Sequence, residues 1–179
     1  MDNSTDTDPA DKIALLKRLH QSRQFGPDPV PAAALDDILD VGRWTGSGMN
    51  RQPWEFVVVQ DRALLQTIAE AENGESWLPG AAAAIVIVMN GALPEIETYD
   101  EGRLTERLLL AAAAHGLGGG IWWYKDDGAA AKRLLGIPDV RRVRTAVGLG
   151  YPPAAAGAAR PKKPAARRPL SELVHQDHY

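Results

Sequence analysis

Residues 81–89 read AAAAIVIVM, nine consecutive residues without a polar side chain. A run of this length is about half of what a helix needs to cross a bilayer, and its Ile and Val are β-branched, so it reads as a strand. A strand that is apolar at every position, not only at every second one, needs cover on both faces. The pattern therefore predicts a strand over 83–88 inside a sheet, with helices packed on either side. The remaining segments have to supply that strand with neighbours and cover.

Periodicity along the chain provides them. Ile13, Leu15, Leu16 and Leu19 form the stripe of a first helix, expected from near Pro9 to about Arg23, before Gly26 and Pro27. Leu35, Ile38, Leu39 and Val41 mark a second helix, broken by Gly46 and Gly48. A strand over 56–59, a helix over 63–71 and the strand over 83–88 follow. A long helix is expected from about Glu101 to His115, with Leu104, Leu108, Leu109 and Ala112 on one face, ending in the glycines of GLGGGIWWY. A strand over 121–124 comes next, then a short helix through Leu135 capped by Asp126 or Asp127, then a strand over 143–149.

Residues 152–169 lack any apolar period and contain six prolines and glycines, which marks an extended arm. Its end regains Leu170, Leu173 and Val174 at helical spacing, an apolar patch that needs a docking surface, with a second protomer as one place for it. The expected organisation is thus a disordered start over 1–8, one domain over 9–151 and an extended C-terminal arm over 152–179.

Charge and composition narrow the class. A net charge of -3 gives no general attraction to nucleic acid, and no segment is long and apolar enough for a membrane helix. With no cysteine there are no disulfides or thiolate metal sites, and the opening MDNSTDTDPADK lacks the basic and apolar regions of a signal peptide. A cytoplasmic protein is expected. The four histidines show no metal-ligand spacing, and no metal site is expected. GLGGG lacks the spacing of a dinucleotide fingerprint, and neither a Ser-His-acid set nor a phosphate-binding P-loop occurs.

The segment SGMNRQPWEFVVV, residues 47–59, sets Ser47, Asn50, Arg51 and Gln52 directly before a strand. These groups offer both donors and acceptors, enough to read the edge of a planar heterocycle. They serve equally to close a loop, with Ser47 capping a turn and Asn50 and Gln52 satisfying backbone groups. Spacing leaves both readings open. Gly118, Gly119 and Gly120 likewise permit a backbone turn close to a ligand, or a helix C-cap.

Four segments in collinear order resemble the nitroreductase family of flavoproteins: SRQFGPDPVPAAALDDIL, RWTGSGMNRQPWEFVVVQD, AAAAHGLGGGIWW and LLGIPDVRRVRTAVGLGYP, followed by ARRPLSELV. The resemblance spans about residues 12–176. It implies an α+β, nitroreductase-like fold in which helices surround a mainly antiparallel central sheet. It further implies an intertwined homodimer whose C-terminal arms reach over the partner subunit, and tightly bound FMN at the dimer interface.

By the same resemblance, Arg23 matches the second basic residue of the family's N-terminal phosphate motif. Aligned on Phe25, the family's first Arg falls at Leu19 or His20 and its Ser at Gln21, so Arg18, His20 and Ser22 are substitutes, and a shift of one residue would restore Ser22. Ser47, Asn50 and Gln52 match flavin contacts, with Pro53 and Trp54 fixing the loop exit and Trp54 itself packed in the core. Gly118, Gly119 and Gly120 match a turn presenting amides to the flavin, and Arg167 or Arg168 matches a basic residue that adds charge at the phosphate. Arg160, Lys162 and Lys163 read as nonspecific arm charge.

The implied chemistry is that of an FMN-dependent NAD(P)H oxidoreductase working by a ping-pong cycle. NADH or NADPH reduces the flavin, and a nitroaromatic, quinone or similar small acceptor reoxidises it. The flavin does the chemistry, so no catalytic side chain is named. The segment NGALPEIETYDEGR reads as too short for a substrate lid, with Trp77 and Tyr99 as candidates for the entrance. A noncatalytic flavin-storage protein is the alternative, motivated by the altered motif at 19–21. FMN and a deazaflavin are not separated by this reading.

Overall fold

The computed structural model describes residues 8–72, 77–153 and 167–179. The expected disordered start, except Asp8, and arm residues 154–166, including Arg160, Lys162 and Lys163, lie outside the described residues. Four strands, β1 (Trp54–Val59), β2 (Ala83–Met89), β3 (Gly118–Trp123) and β4 (Arg142–Gly150), form one sheet in the order β1-β2-β4-β3. Every pairing is antiparallel. All seven residues of β2 are buried, as its unbroken apolar run requires.

Among the described residues, five helices flank the sheet: α1 (Pro9–Arg18), α2 (Ala32–Arg43), α3 (Arg62–Glu72), α4 (Pro94–Ala114) and α5 (Ala129–Leu135). Alternate β2 residues serve opposite faces. Ile85 and Ile87 pack with Ile38 of α2 and Leu104 and Leu108 of α4, whereas Ala84 and Val86 pack with Leu65 and Ile68 of α3 and Ala131 of α5. Trp54 is buried in the first of these layers.

Three helix ends needed correction. The first helix stops at Arg18, not near Arg23, because residues 21–22 run along the free edge of β3. Ser22 donates its backbone N–H to the Gly119 carbonyl at 2.7 Å, and the Gln21 Oε1 accepts from the Ile121 N–H at 3.1 Å. The long helix starts at Pro94, seven residues before Glu101, so most of the segment read as a loop is its first two turns. Glu97 makes that start possible: its Oε2 accepts from Gly91 N–H at 2.9 Å and its Oε1 from Leu93 N–H at 3.1 Å. Third, Gly128 occupies the N-cap position of α5, while Asp127 accepts from Val143 N–H and pairs with Lys132 at 2.6 Å.

The glycines after α4 also belong to the sheet. Gly116, at φ +72°, ends the helix, and Gly118–Gly120 open β3 instead of forming a turn. Across the ladder Gly118 faces Gly150 and Gly120 faces Gly148. These four leave a flat patch: added methyl groups would meet Ser22 at Gly118 and Gly120, Trp77 at Gly148 and Phe25 at Gly150. Phe25, Trp77 and Trp122 pack there in a tilted and an edge-on contact, at centroid distances of 6.1 and 5.9 Å. Trp77 is therefore a packing residue, while Tyr99 is exposed on α4.

Candidate functional site

The free edge of β3 organises the first part of the site. In an antiparallel ladder, residues alternate between bonding the neighbour and facing away from it. Tyr124 N–H bonds the Arg144 carbonyl, and Leu149, opposite Gly119, gives its carbonyl to Ala82 on the other side. Gly118, Gly120 and Trp122 therefore bond towards β4, and Gly119, Ile121 and Trp123 direct their backbone groups outwards. Of the three predicted glycines, only Gly119 turns its amide to the free edge. Trp123 also does so, a position that the sequence reading passed over in favour of the glycines.

Two cavities lie along this edge. One of about 500 Å³ is bounded by Arg18, His20, Ser22, Gly118, Gly119 and the α4 residues Leu109 and Ala113. The second, of about 230 Å³, lies between β3 and the earlier turns of α4 and is bounded by Ile121, Trp123, Thr145, Glu101, Thr98 and Thr105. The end of α1 and the extended segment after it bring Arg18, Leu19, His20 and Ser22 to the first cavity. Gln21 goes to the strand edge, and Arg23 is exposed and does not line the cavity. Ser22 Oγ donates to the Gln24 carbonyl and His20 Nδ1 lies 3.0 Å from the Arg18 carbonyl, so both side chains are held by local turns.

The loop Ser47–Gln52 stands elsewhere. Met49, Asn50 and Gln52 all have positive φ, at 51°, 54° and 48°. Such conformations cost a non-glycine residue on the order of 1 kcal/mol each and persist where surrounding contacts impose them. Ser47 Oγ accepts from Gln52 N–H at 2.8 Å, Asn50 N–H bonds the Ser47 carbonyl at 3.0 Å, and Asp100 of α4 accepts from Gly48 N–H at 3.3 Å. The Asn50 side chain is left exposed at the tip, beside exposed Arg51 and Gln52.

Helix geometry separates this loop from the β3 edge. The loop meets Ile96, Asp100 and Arg103, whereas the smaller cavity is bounded by Thr98, Glu101 and Thr105. At 3.6 residues per turn these two sets lie on roughly opposite faces of α4. His20, Ser22 and Gly119 lie further along α4, beside Leu109 and Ala113, so within one chain they do not come together with Ser47, Asn50 and Gln52. Arg167 and Arg168 are exposed in the final segment, and Arg168 is engaged by Glu172, at 3.3 Å to Oε2 and 3.0 Å to the carbonyl.

Behind the smaller cavity lies a cluster that hydrophobic patterning could not flag. Arg142, 5% exposed, places Nη2 3.2 Å from Glu101 Oε2 and 3.6 Å from Glu97 Oε2, and its Nη1 donates to Thr98 at 3.3 Å. One guanidinium thus serves two buried carboxylates. Glu97 also accepts two backbone amides, while the Glu101 carboxyl is shared by Arg142 and the Thr145 hydroxyl. Burial pushes the Glu101 carboxyl above its ordinary range, outweighing the lowering influence of Thr145, Arg142 and Arg144.

A four-stranded antiparallel sheet between helix layers, with a polar strapping segment on one edge, defines the class: an α+β protein of the nitroreductase fold. The nitroreductase family's sequence profile matches residues 17–90. A protein of Archaeoglobus fulgidus, provisionally named an NADH dehydrogenase/NAD(P)H nitroreductase, is 34% identical over 145 residues, covering 75% of this chain and 79% of its own. An NADH dehydrogenase of Thermus thermophilus is 28% identical, with 91% of this chain and 94% of its own covered. Among solved structures, an FMN-dependent nitroreductase from Clostridium difficile superposes with a TM-score of 0.79 at 21% identity, covering 93% and 99% of the two chains. A provisionally named nitroreductase from Desulfovibrio desulfuricans, solved with FMN, gives 0.80 at 22% identity over 97% and 99%. The chain belongs to the nitroreductase family. Among the described residues, no helix is long and apolar enough to cross a membrane.

Proposed function

We propose that the protein is an FMN-dependent NAD(P)H oxidoreductase that passes electrons to nitroaromatics, quinones or similar small acceptors in a ping-pong cycle. The observation that carries this reading is the free edge of β3. Its outward amides at Gly119 and Trp123 stand between a cavity with Arg18, His20 and Ser22 at one end and a smaller, more apolar cavity at the other. An anionic phosphate suits the first, where the Arg18 guanidinium joins an imidazole and a hydroxyl held by local turns. A planar ring with mixed donors and acceptors suits the second, where Trp123 offers an amide donor.

FMN, when bound, supplies hydride acceptance and donation. The residues of this chain bind and orient it: Arg18, His20 and Ser22 at the phosphate end, and the outward amides of Gly119 and Trp123 along the edge. Ser47, Asn50 and Gln52 come from a second copy, because their own chain holds them on the opposite face of α4. The protein is on this reading a homodimer, with residues 152–179 crossing the partner and Arg167 or Arg168 adding positive charge. Arg167 is the better candidate, since Arg168 is engaged by Glu172. The exposed Leu170, Leu173 and Val174 support the crossing arm, because a single chain leaves them in water. A chain without cysteine that uses NADH or NADPH fits a cytoplasmic setting.

The test is to purify the protein, release its chromophore and identify it by mass, then add NADH and NADPH anaerobically. Bleaching of the flavin bands by either donor and their return with a quinone supports the oxidoreductase. Bound FMN that neither donor reduces points instead to flavin storage, motivated by the altered motif at 19–21. A colourless protein that does not take up FMN overturns both.

A further inference from the structure

The cavity at the phosphate end offers an anion fewer donors than its residue types suggest. His20 Nδ1 lies 3.0 Å from the Arg18 carbonyl. A carbonyl oxygen only accepts, so Nδ1 is the nitrogen that carries the proton of the neutral ring, and Nε2 is left as a lone pair. Ser22 Oγ likewise donates its one hydrogen to the Gln24 carbonyl at 3.0 Å. Both side chains line the cavity, yet each has its proton committed to the backbone. Among the described residues there, Arg18 is the side chain left with N–H groups to give.

We propose that FMN binding takes up a proton at His20, which makes retention of the cofactor depend on pH. The proposal rests on the flavin reading above and concerns the regulation of that same site. A phosphate monoester near neutral pH carries close to two negative charges and presents only acceptor oxygens. The Nε2 lone pair of a neutral His20 repels it. One proton from solvent, added at Nε2, gives an imidazolium whose Nδ1–H keeps its bond to the Arg18 carbonyl and whose Nε2–H donates to the phosphate. The proton returns to solvent when FMN leaves.

The surroundings make His20 the group that titrates. The end of α1 contributes Arg18, which stays charged throughout. Leu109 and Ala113 of α4, Gly118 and Gly119 of β3 and Pro152 after β4 complete the walls, and none of them ionises. On the dimer reading the arm adds Arg167 or Arg168, also charged at every relevant pH. Histidine is the side chain whose ordinary titration falls between about pH 5 and 8, and the exposure of His20 lets water deliver and remove the proton. With FMN bound the proton is held more tightly than in the empty site. Affinity is therefore highest on the acid side and falls as pH rises from the empty-site titration to the FMN-bound one. The second ionisation of the phosphate, at about pH 6, acts in the opposite sense, strengthening the attraction to Arg18 as pH rises.

The first measurement needs no turnover: fluorescence titration of the apoprotein with FMN across the neutral range, with riboflavin, which lacks the phosphate, alongside. FMN affinity is expected to fall about tenfold between about pH 6.5 and 8.5, the scale of one charge-assisted hydrogen bond, while riboflavin affinity stays level. His20→Gln keeps a neutral polar side chain and should bind FMN weakly, without the fall. His20→Arg carries a permanent charge and should bind FMN tightly at every pH in the range, a rescue that a merely structural role of His20 does not give. A level or rising FMN affinity in the wild type, a fall shared by riboflavin, or a fall that survives in His20→Gln overturns the proposal.

The second measurement counts the proton. Calorimetric titration with FMN at about pH 7.5, in buffers of different ionisation enthalpy, is expected to show net proton uptake by the wild type and none by His20→Gln or His20→Arg. Nitrogen NMR of the wild type at the same pH reads the ring itself: Nδ1 alone protonated in the neutral ring of the empty site, and both nitrogens protonated with FMN bound. This reading carries the test if a variant fails to fold. No proton uptake, or a neutral His20 in the FMN-bound protein, overturns the proposal while leaving the flavin reading intact. Failure of the wild type to bind FMN at any pH overturns the flavin reading itself, and the proton uptake with it.

Discussion

A methyl group on Gly120 would collide with the Ser22 carbonyl oxygen, a backbone atom that cannot rotate away. Gly120→Ala should therefore push the Ser22 segment off the β3 edge. We expect a loss of about 1–3 kcal/mol in denaturant unfolding, the usual cost of overpacking, together with weaker FMN binding in fluorescence titration. The glycine that looked like a ligand contact in sequence has a packing reason of its own. Glu101 gives the second prediction at this scale. Its carboxyl is raised above the ordinary value by burial, so the folded state holds the proton more tightly than the unfolded chain. The resulting stability is fully present below the unfolded-state value and is lost as pH rises through the folded-state value. Thermal unfolding followed across the acidic to neutral range should show this decline in the wild type and not in Glu101→Gln.

At the scale of elements, the loop before β1 and the helix α4 behave as one unit, since Asp100 accepts from Gly48 N–H and Ser47 closes the loop on Gln52. Ser47→Ala removes that acceptor and should cost about 1 kcal/mol, read as roughly a fivefold loss of FMN affinity. Asn50→Gly separates the two readings of the loop. Its backbone has φ 54°, which glycine adopts without penalty, so stability should be unchanged or slightly raised. If the exposed amide contacts the flavin, FMN affinity falls in this variant; an unchanged affinity shows that Asn50 only closes the turn.

For the whole molecule, the decisive fact is that one chain holds the two groups of predicted site residues apart, the loop at Ile96, Asp100 and Arg103 of α4 and the other group beside Leu109 and Ala113. A second copy is the simplest way to bring them together. Leu173→Asp, placed on the exposed apolar patch at the C-terminus, should shift the protein towards monomer in sedimentation and lower FMN occupancy in parallel. A variant that stays dimeric with full FMN content would place the arm outside the interface.

The sequence by itself determined the elements and their class, because apolar periodicity is a local signal: the unbroken run at 83–88, the stripes of α2 and α3 and the glycine ending α4 are all legible in one dimension. It also carried the collinear motifs that mark the family. Tertiary structure alone decided the rest. The start of α4 was hidden because Glu97, Asp100 and Glu101 interrupt its apolar stripe, and these charges are tolerated inside through Arg142, Arg103 and backbone amides outside the helix. The end of α1 was hidden because residues 21–22 give up helical bonds for the edge of a strand about a hundred residues away, a contact no local propensity encodes. The outward turn of Trp123 and the buried pairing of Glu101 with Arg142 depend on strand register and burial, which exist only once the sheet has formed.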